Sequence, residues 1–189
     1  MASSVLYMSM SADGYIAGPD DRPGNPGGEG FGRLHDWFGD FSRPSGPTAV
    51  LFDEMASAGA VLAGRRTAEQ VGHWGGEHGG RPIFVVSNRP PAPAVARLGR
   101  VSYVTDGIDR AMSRARAAAG ARDVLVHGAA VARSALTAGL LDEMQIHQVP
   151  VLFGGGRRLF DLLPRRIELA VVRVIDMPDA THIRYRIRR

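Results

Sequence analysis

The stretch from Asp123 to Phe160 constrains this chain more than any other. Val124–His127 is a short apolar run of the kind a buried strand shows. Gly128-Ala129-Ala130 follows as a turn of small residues. From Val131 to Ala138 the spacing is helical, with Val131, Ala135 and Leu136 on one face, and Gly139 supplies a stop. Met144–Val149 reads as a second strand closed by Pro150. Strand, helix, strand within roughly 30 residues predicts a βαβ unit, hence a parallel pair with a right-handed crossover. A turn almost free of side chains that opens a helix offers backbone N–H groups to an anion, and the helix dipole favours a phosphate there. The same turn also reads as a plain connector, because such a turn counts as a ligand site only in its structural context.

The chain has 189 residues, enough to bury its own core, and 44% of them are hydrophobic, as in ordinary globular proteins. The amino terminus has no basic stretch, and Asp13 interrupts its apolar run, so it does not read as a signal peptide. No run approaches ~18 uninterrupted apolar residues, which predicts no membrane span and a cytoplasmic location. Cysteine is absent, which excludes disulfides, thiolate catalysis, iron–sulfur clusters and thiolate zinc sites. Lysine is absent too, and all 23 basic residues are arginines. That excludes a pyridoxal Schiff base, a P-loop lysine and a Ser–Lys dyad. It also explains a pI near 10.3 at a net charge of only +4, since arginine does not titrate in the ordinary range. A nucleic-acid partner is therefore not implied by charge, whereas planar arginine forks suit phosphate.

In order along the chain, Val5–Met10 predicts a first strand and Tyr15–Ala17 a further extended segment. Residues 18 to 30 are rich in Gly, Pro and Asp and predict a loop. Leu34–Phe38 predicts one or two helical turns, and Ser42–Pro47 is a second breaker cluster. Thr48 is placed to cap a helix through Ser57 whose inner face carries Val50, Leu51, Met55 and Ala58. Strands are predicted at Ala60–Ala63, Ile83–Ser87 and Val101–Val104, with a helix near Ala68–Val71 and another capped by Asp106 that runs to Ala119. Ile167–Ile175 and Ile183–Ile187 predict a closing hairpin. In its second strand Ile183, Tyr185 and Ile187 alternate with Arg184, Arg186 and Arg188, which predicts an inward apolar face and a solvated basic one. No repeat and no domain boundary stands out, so residues 1–189 are expected to form one domain. The pattern predicts an α/β fold with a mostly parallel sheet, helices on both faces and an antiparallel end.

In such sheets ligands sit outside the carboxyl ends of the strands. Three strands here end in turns of suggestive chemistry. Gly64-Arg65-Arg66-Thr67 offers guanidinium forks and a hydroxyl. Ser87-Asn88-Arg89 offers small polar groups beside another fork. Gly128-Ala129-Ala130 offers bare backbone. Together they suit the several phosphates of a dinucleotide.

These motifs, with Ser9–Ala17 at the start, Leu62–Thr67, Val85–Pro90, Gly139–Glu143 and Pro150–Gly156, give the chain its resemblance to a known family. In order and spacing it resembles the dihydrofolate reductase-like superfamily, and most closely the riboflavin-biosynthesis reductase (RibD C-terminal) domain. The resemblance covers nearly the whole chain. It implies a three-layer dihydrofolate reductase-like fold with an antiparallel C-terminal hairpin, an NADPH-dependent reductase activity and a homodimer. It places the adenosine and its 2′-phosphate at Gly64, Arg65, Arg66, Thr67, Ser87, Asn88 and Arg89. It places the pyrophosphate at Gly128, Ala129, Ala130 and Val131, and the nicotinamide end near Ser9, Ile16 and Ala17. The implied acceptor is a small heterocycle, either a pyrimidine of the 5-amino-6-(5-phosphoribosylamino)uracil type or a pteridine such as dihydrofolate. Two departures stand out: Ala129 occupies the place of the family's second glycine, and the loop before Leu34–Phe38 differs in length from that of folate reductases. The resemblance covers the reductase domain, and the deaminase domain that accompanies some of these reductases is not expected within residues 1–189.

Hydride transfer asks the protein to place the nicotinamide against its acceptor and to supply a proton. Two residues are candidates for that proton. Asp36, beside Trp37, reads either as a carboxylate with an apolar neighbour or as a surface or capping residue. His147, on the strand after the crossover, reads either as a cleft residue or as a buried, hydrogen-bonded structural histidine. His127 reads as core and Asp13 as the organiser of its Asp-Gly turn. His73 and His78 stand in a glycine-rich loop without further metal ligands, and no metal is expected. A GxSxG elbow is absent. Two readings stand against the reductase: a nucleotide-binding protein without turnover, and a nucleic-acid-binding protein that uses its arginines. The scattered arginines weigh against the second.

Overall fold

The computed structural model describes residues 3–39 and 46–188. Of the Ser42–Pro47 breaker cluster, residues 42–45 lie outside them. The chain divides into two compact units, each built from separated segments: Met1–Leu6 with Ser57–Asp142, and Tyr7–Ala56 with Glu143–Arg189. Strand β1 (Ser4–Ser11) begins in the first and ends in the second.

The first unit holds β3 (Ala60–Gly64), β4 (Ile83–Val86), β5 (Val101–Val104) and β6 (Val124–His127). All pairings are parallel, in the order β5-β4-β3-β6-β1. Every residue of β3 is buried. The near-continuous apolar run is what a strand covered on both faces requires. Helix α4 (Ile108–Ala119) presents Ala111, Met112, Ala115 and Ala119 inward, a stripe at helical spacing, and packs on β3 and β4. Helix α5 (Ala129–Thr137) buries Val131, Ala132, Ala135 and Leu136. Each of the larger side chains so buried stabilises the fold by about 1.5–3 kcal/mol. Helix α2 (Arg65–Gln70) starts directly at the end of β3, earlier than expected. Helix α4 begins behind Gly107, so Asp106 is not its cap. A short helix, α3 (Pro93–Ala96), was not expected and carries Pro at its first position.

In the second unit lie β2 (Tyr15–Ala17), β7 (Glu143–Val149), β8 (Arg157–Arg158), β9 (Leu169–Met177) and β10 (Ala180–Ile187). A 3-10 helix spans Phe31–Phe38, and α1 spans Pro47–Ser57. β10 pairs antiparallel with both β7 and β9, which gives the mostly parallel sheet its antiparallel C-terminal end. The core around Leu34, Trp37, Leu51, Val149 and Ala180 joins the 3-10 helix and α1 to the strands. Val50 is 44% exposed, so the inner face of α1 is narrower than predicted. Among the described residues no helix is long and apolar enough to cross a membrane.

Two expectations are corrected. β6 does not pair with β7: its neighbours are β1 and β3, while β7 pairs with β10. The crossover thus leads to a strand further along the sheet, because β1 takes the place beside β6. The alternation in β10 holds only in part: Arg186 and Arg188 are exposed, Ile183, Tyr185 and Ile187 are partly buried, and Arg184 alone leaves the solvated basic face. Arg184 turns inward, where its guanidinium meets Glu143 at 2.8 Å and Glu54 of α1 at 3.4 Å. Arg173, its cross-strand partner on β9, meets Glu54 at 2.6 Å. Charge pairing therefore offsets the cost of partly burying Arg184. Ile183 and Tyr185 stand opposite Val174 and Val171, which are 53% and 62% exposed.

Candidate active site

Parallel register aligns the turns of the first unit. Ala63 stands opposite His127, and Gly64 opposite Val86, which stands opposite Val104. The segments that follow β3, β4, β5 and β6 therefore leave the sheet at one edge. Gly128 adopts φ 98° and ψ 144°, a region open only to glycine. A Cβ there would collide with Thr67 Oγ1, so the turn after β6 abuts the turn after β3. Gly64 in turn sits against Val131: a Cβ on it would lie 3.3 Å from Val131 Cγ2. Ala129 is half-buried and Ala130 exposed at the start of α5. The bare backbone predicted for this turn is thus present, at the N-terminus of a nine-residue helix.

Between β4 and α3, Ser87 builds its own turn. Its backbone N–H donates to Val104 O at 3.1 Å. Its hydroxyl donates to Arg89 O at 2.7 Å and accepts from Arg89 N at 3.2 Å. Asn88 and Arg89 are exposed. Arg65 is held by Glu69, one turn on in α2, at 3.0 Å, and Arg66 faces solvent. The structure thus brings the residues of all three predicted turns to one edge.

The second unit, taken by itself, contains Ser9, Ile16, Ala17, Asp36 and His147. Ser9 is buried and accepts a hydrogen bond from Trp37 Nε1 at 2.9 Å. Ile16 and Ala17 are buried on β2, which pairs with β8. His147 is also buried. It stacks on Trp37 with centroids 4.1 Å apart, and its Nδ1 lies 2.7 Å from Nδ1 of His182. Burial, reinforced by Arg173, pushes His182 down to about 4. Of the two readings of His147, the packing matches the buried, hydrogen-bonded one. Asp36 does not have the apolar surroundings considered for it: its carboxylate is exposed and pairs with Arg33 at 3.3 Å. The 3-10 helix turns Leu34 and Trp37 inward, which leaves Asp36 outside.

Asp13 does more than shape its own turn. Ser11 donates to it at 2.5 Å, and the N–H groups of Phe153 and Gly154 donate to it at 3.1 and 2.8 Å. The Ser11 hydroxyl and these N–H groups hold its carboxyl down at about 2. In the Gly154–Arg158 turn, Arg158 lies over the Tyr15 ring at 4.6 Å and Arg157 approaches Asp21 at 3.5 Å.

Sequence reasoning missed Tyr103, whose hydroxyl lies 2.9 Å from His73 Nε2. It also missed His182 and the Trp37 bond to Ser9. Only the glycines that flank His73 and Trp74 hinted at an unusual backbone there.

The comparisons with known proteins come down on this architecture. The family model of the RibD C-terminal domain matches residues 4–182. The chain belongs to that family. Among solved structures, a putative riboflavin biosynthesis protein from Shewanella sp. PV-4 is 23% identical, with TM-score 0.75 over 99% of both chains. A pyrimidine reductase-like protein from Corynebacterium diphtheriae is 12% identical, with TM-score 0.63 over 100% of this chain and 92% of its own. RibD from Acinetobacter baumannii is 17% identical at TM-score 0.59, and the match spans all of this chain but 58% of that one. At these identities the neighbours attest the fold. No curated protein matches the sequence.

Proposed function

We propose that the chain is an NADPH-dependent reductase that transfers hydride to a small heterocycle, a pyrimidine of the 5-amino-6-(5-phosphoribosylamino)uracil type or a pteridine such as dihydrofolate. The observation that carries this reading is the contact between the Gly128 turn and Thr67. It gathers bare backbone, a helix N-terminus and a hydroxyl where a pyrophosphate needs donors. Arg65, Arg66 and Arg89 on the same edge suit a 2′-phosphate, whose charge favours planar, bidentate partners. Membership in the RibD C-terminal domain family supports the reductase class. Ser9, Ile16 and Ala17 keep the role that the family resemblance gives them, at the nicotinamide end. The bound nicotinamide supplies the hydride. Asp36, open to solvent, is the candidate for proton delivery. His147, sealed behind Trp37, holds the surrounding core in place.

The nucleic-acid reading is not favoured. Arg116, Arg173, Arg184 and Arg186 pair with carboxylates of the chain itself instead of forming a displayed basic patch. The test of the cofactor is a titration of the Arg65→Ala, Arg66→Ala double variant with NADPH and NADH. NADPH binding weakens at least tenfold and NADH binding little. Equal losses for both would remove the 2′-phosphate site. A screen of pyrimidine and pteridine acceptors with NADPH as donor then identifies the substrate.

A further inference from the structure

His73, Trp74 and Gly75 run consecutively through left-handed backbone, at φ 53°, 50° and 71°. For the two residues that carry a Cβ this is costly, by about 1–2 kcal/mol each. Such strain persists only where the surroundings hold it, and it gathers at functional sites. Two contacts hold it here. The Trp74 ring packs 5.7 Å from that of His127, the last residue of β6. The His73 ring is buried and its Nε2 meets the Tyr103 hydroxyl at 2.9 Å.

Tyr103 stands on β5 opposite Val85, one residue short of the edge where the Ser87–Arg89 turn begins. Burial raises its hydroxyl above the ordinary range, Glu69 adds to that, and Arg65 and Arg89 oppose it. The field of all three charges thus reaches one hydroxyl. Burial also lowers His73, with Glu69 opposing. The His73 ring thus has the Tyr103 hydroxyl of β5 as its partner and feels the charge of Glu69 of α2, while Arg65 and Arg89 act on Tyr103. His78 and His127 pack around Trp74 instead.

We propose that His73 and Tyr103 are specificity-determining residues for a phosphate-bearing cofactor, and that His73 takes up a proton when the phosphate enters. The inference rests on the 2′-phosphate site proposed above. With its proton on Nδ1, neutral His73 accepts the Tyr103 O–H at Nε2. A phosphate dianion beside Arg65 and Arg89 favours the imidazolium. A proton from solvent then makes Nε2–H the donor to Tyr103 Oη, and the phenol O–H is released to donate to a phosphate oxygen. NADP⁺ gains this and NAD⁺ does not.

The test uses calorimetric titration of the full chain with NADP⁺ and NAD⁺ near pH 7, in buffers of different ionisation enthalpy. The wild type takes up a fraction of a proton on binding NADP⁺ and none on binding NAD⁺. The phosphate itself, with a second pKa about 6, can only release protons on binding cations, so uptake has the opposite sign. His73→Asn, which tolerates left-handed backbone, abolishes the uptake. Tyr103→Phe leaves the turn in place and lowers NADP⁺ affinity several-fold with NAD⁺ affinity unchanged. An unchanged proton count in His73→Asn, or equal losses for both nucleotides in Tyr103→Phe, overturns the proposal. Arg65→Ala separates the two readings. If it abolishes the preference for NADP⁺ while His73→Asn and Tyr103→Phe alter neither preference nor proton count, only this inference fails. If NADP⁺ does not bind, or Arg65→Ala leaves the preference intact, the cofactor reading fails and takes this one with it.

Discussion

At the scale of single residues, Gly128 and His182 make the strongest commitments. Gly128 combines positive φ with a Thr67 side chain where its Cβ would stand. Gly128→Ala should lower stability by about 1–3 kcal/mol from backbone strain alone. Thr67→Ala in the same chain should recover only the part due to the collision. Denaturant midpoints of the two single variants and the double variant measure this, and strictly additive losses would contradict the contact. His182 is buried beside His147 and held at about 4. The unfolded chain, with an ordinary histidine near 6.5, then binds more protons than the folded one in between. Stability from this group is complete above about pH 6.5 and declines as pH falls towards 4, by on the order of 3 kcal/mol in total. Thermal melts from pH 7.5 to 4.5 should fall in that window, and less steeply in His182→Gln. An equally flat profile in both would be the contrary result. The small-residue turn at Gly128 was legible in the sequence because Gly-Ala-Ala follows an apolar run and precedes helical spacing. The His147–His182 pair was not, since its partners are 35 residues apart and meet only through strand register.

At the scale of elements, periodicity located most strands and the longer helices. It failed where charge pairing or pairing order decided the outcome. The Arg/Ile alternation in β10 placed Arg184 on a solvated face, because a period of two does not register the carboxylates of Glu54 and Glu143 that hold it partly buried. On β9 lies an exposed apolar strip: Leu169, Val171, Val172 and Val174 are 37%, 62%, 47% and 53% exposed. β9 ends the strand order, and exposed apolar edge strands are ordinarily covered. This supports the proposed homodimer. Sedimentation at micromolar concentration should give a dimer, and Val171→Arg with Val174→Arg should give monomer without loss of the thermal transition. A wild-type monomer under those conditions would refute it. The missed α3 and the displaced start of α4 have simple causes: one turn is too short for periodicity to register, and Gly107 at φ 90° ends the preceding turn later than Asp106 alone indicates.

At the scale of the whole molecule, the fold class and family could be read from the order of motifs, because each predicted turn follows a strand of one parallel set. The division into two units built from interleaved segments could not, since no composition shift accompanies Leu6, Ser57 or Asp142. Nor could the acceptor be read, because no single motif encodes its shape. The central claim is that the turn after β6 receives the pyrophosphate of NADPH. Ala129 sits at the first position of α5, where valine costs a helix only about 0.5 kcal/mol relative to alanine but adds a branched Cβ beside the bare backbone. The decisive measurement is an NADPH titration of Ala129→Val together with its thermal melt. The account predicts a melt within a few degrees of the parent and cofactor binding weakened at least tenfold. Binding equal to the parent would make the turn a connector and contradict the account.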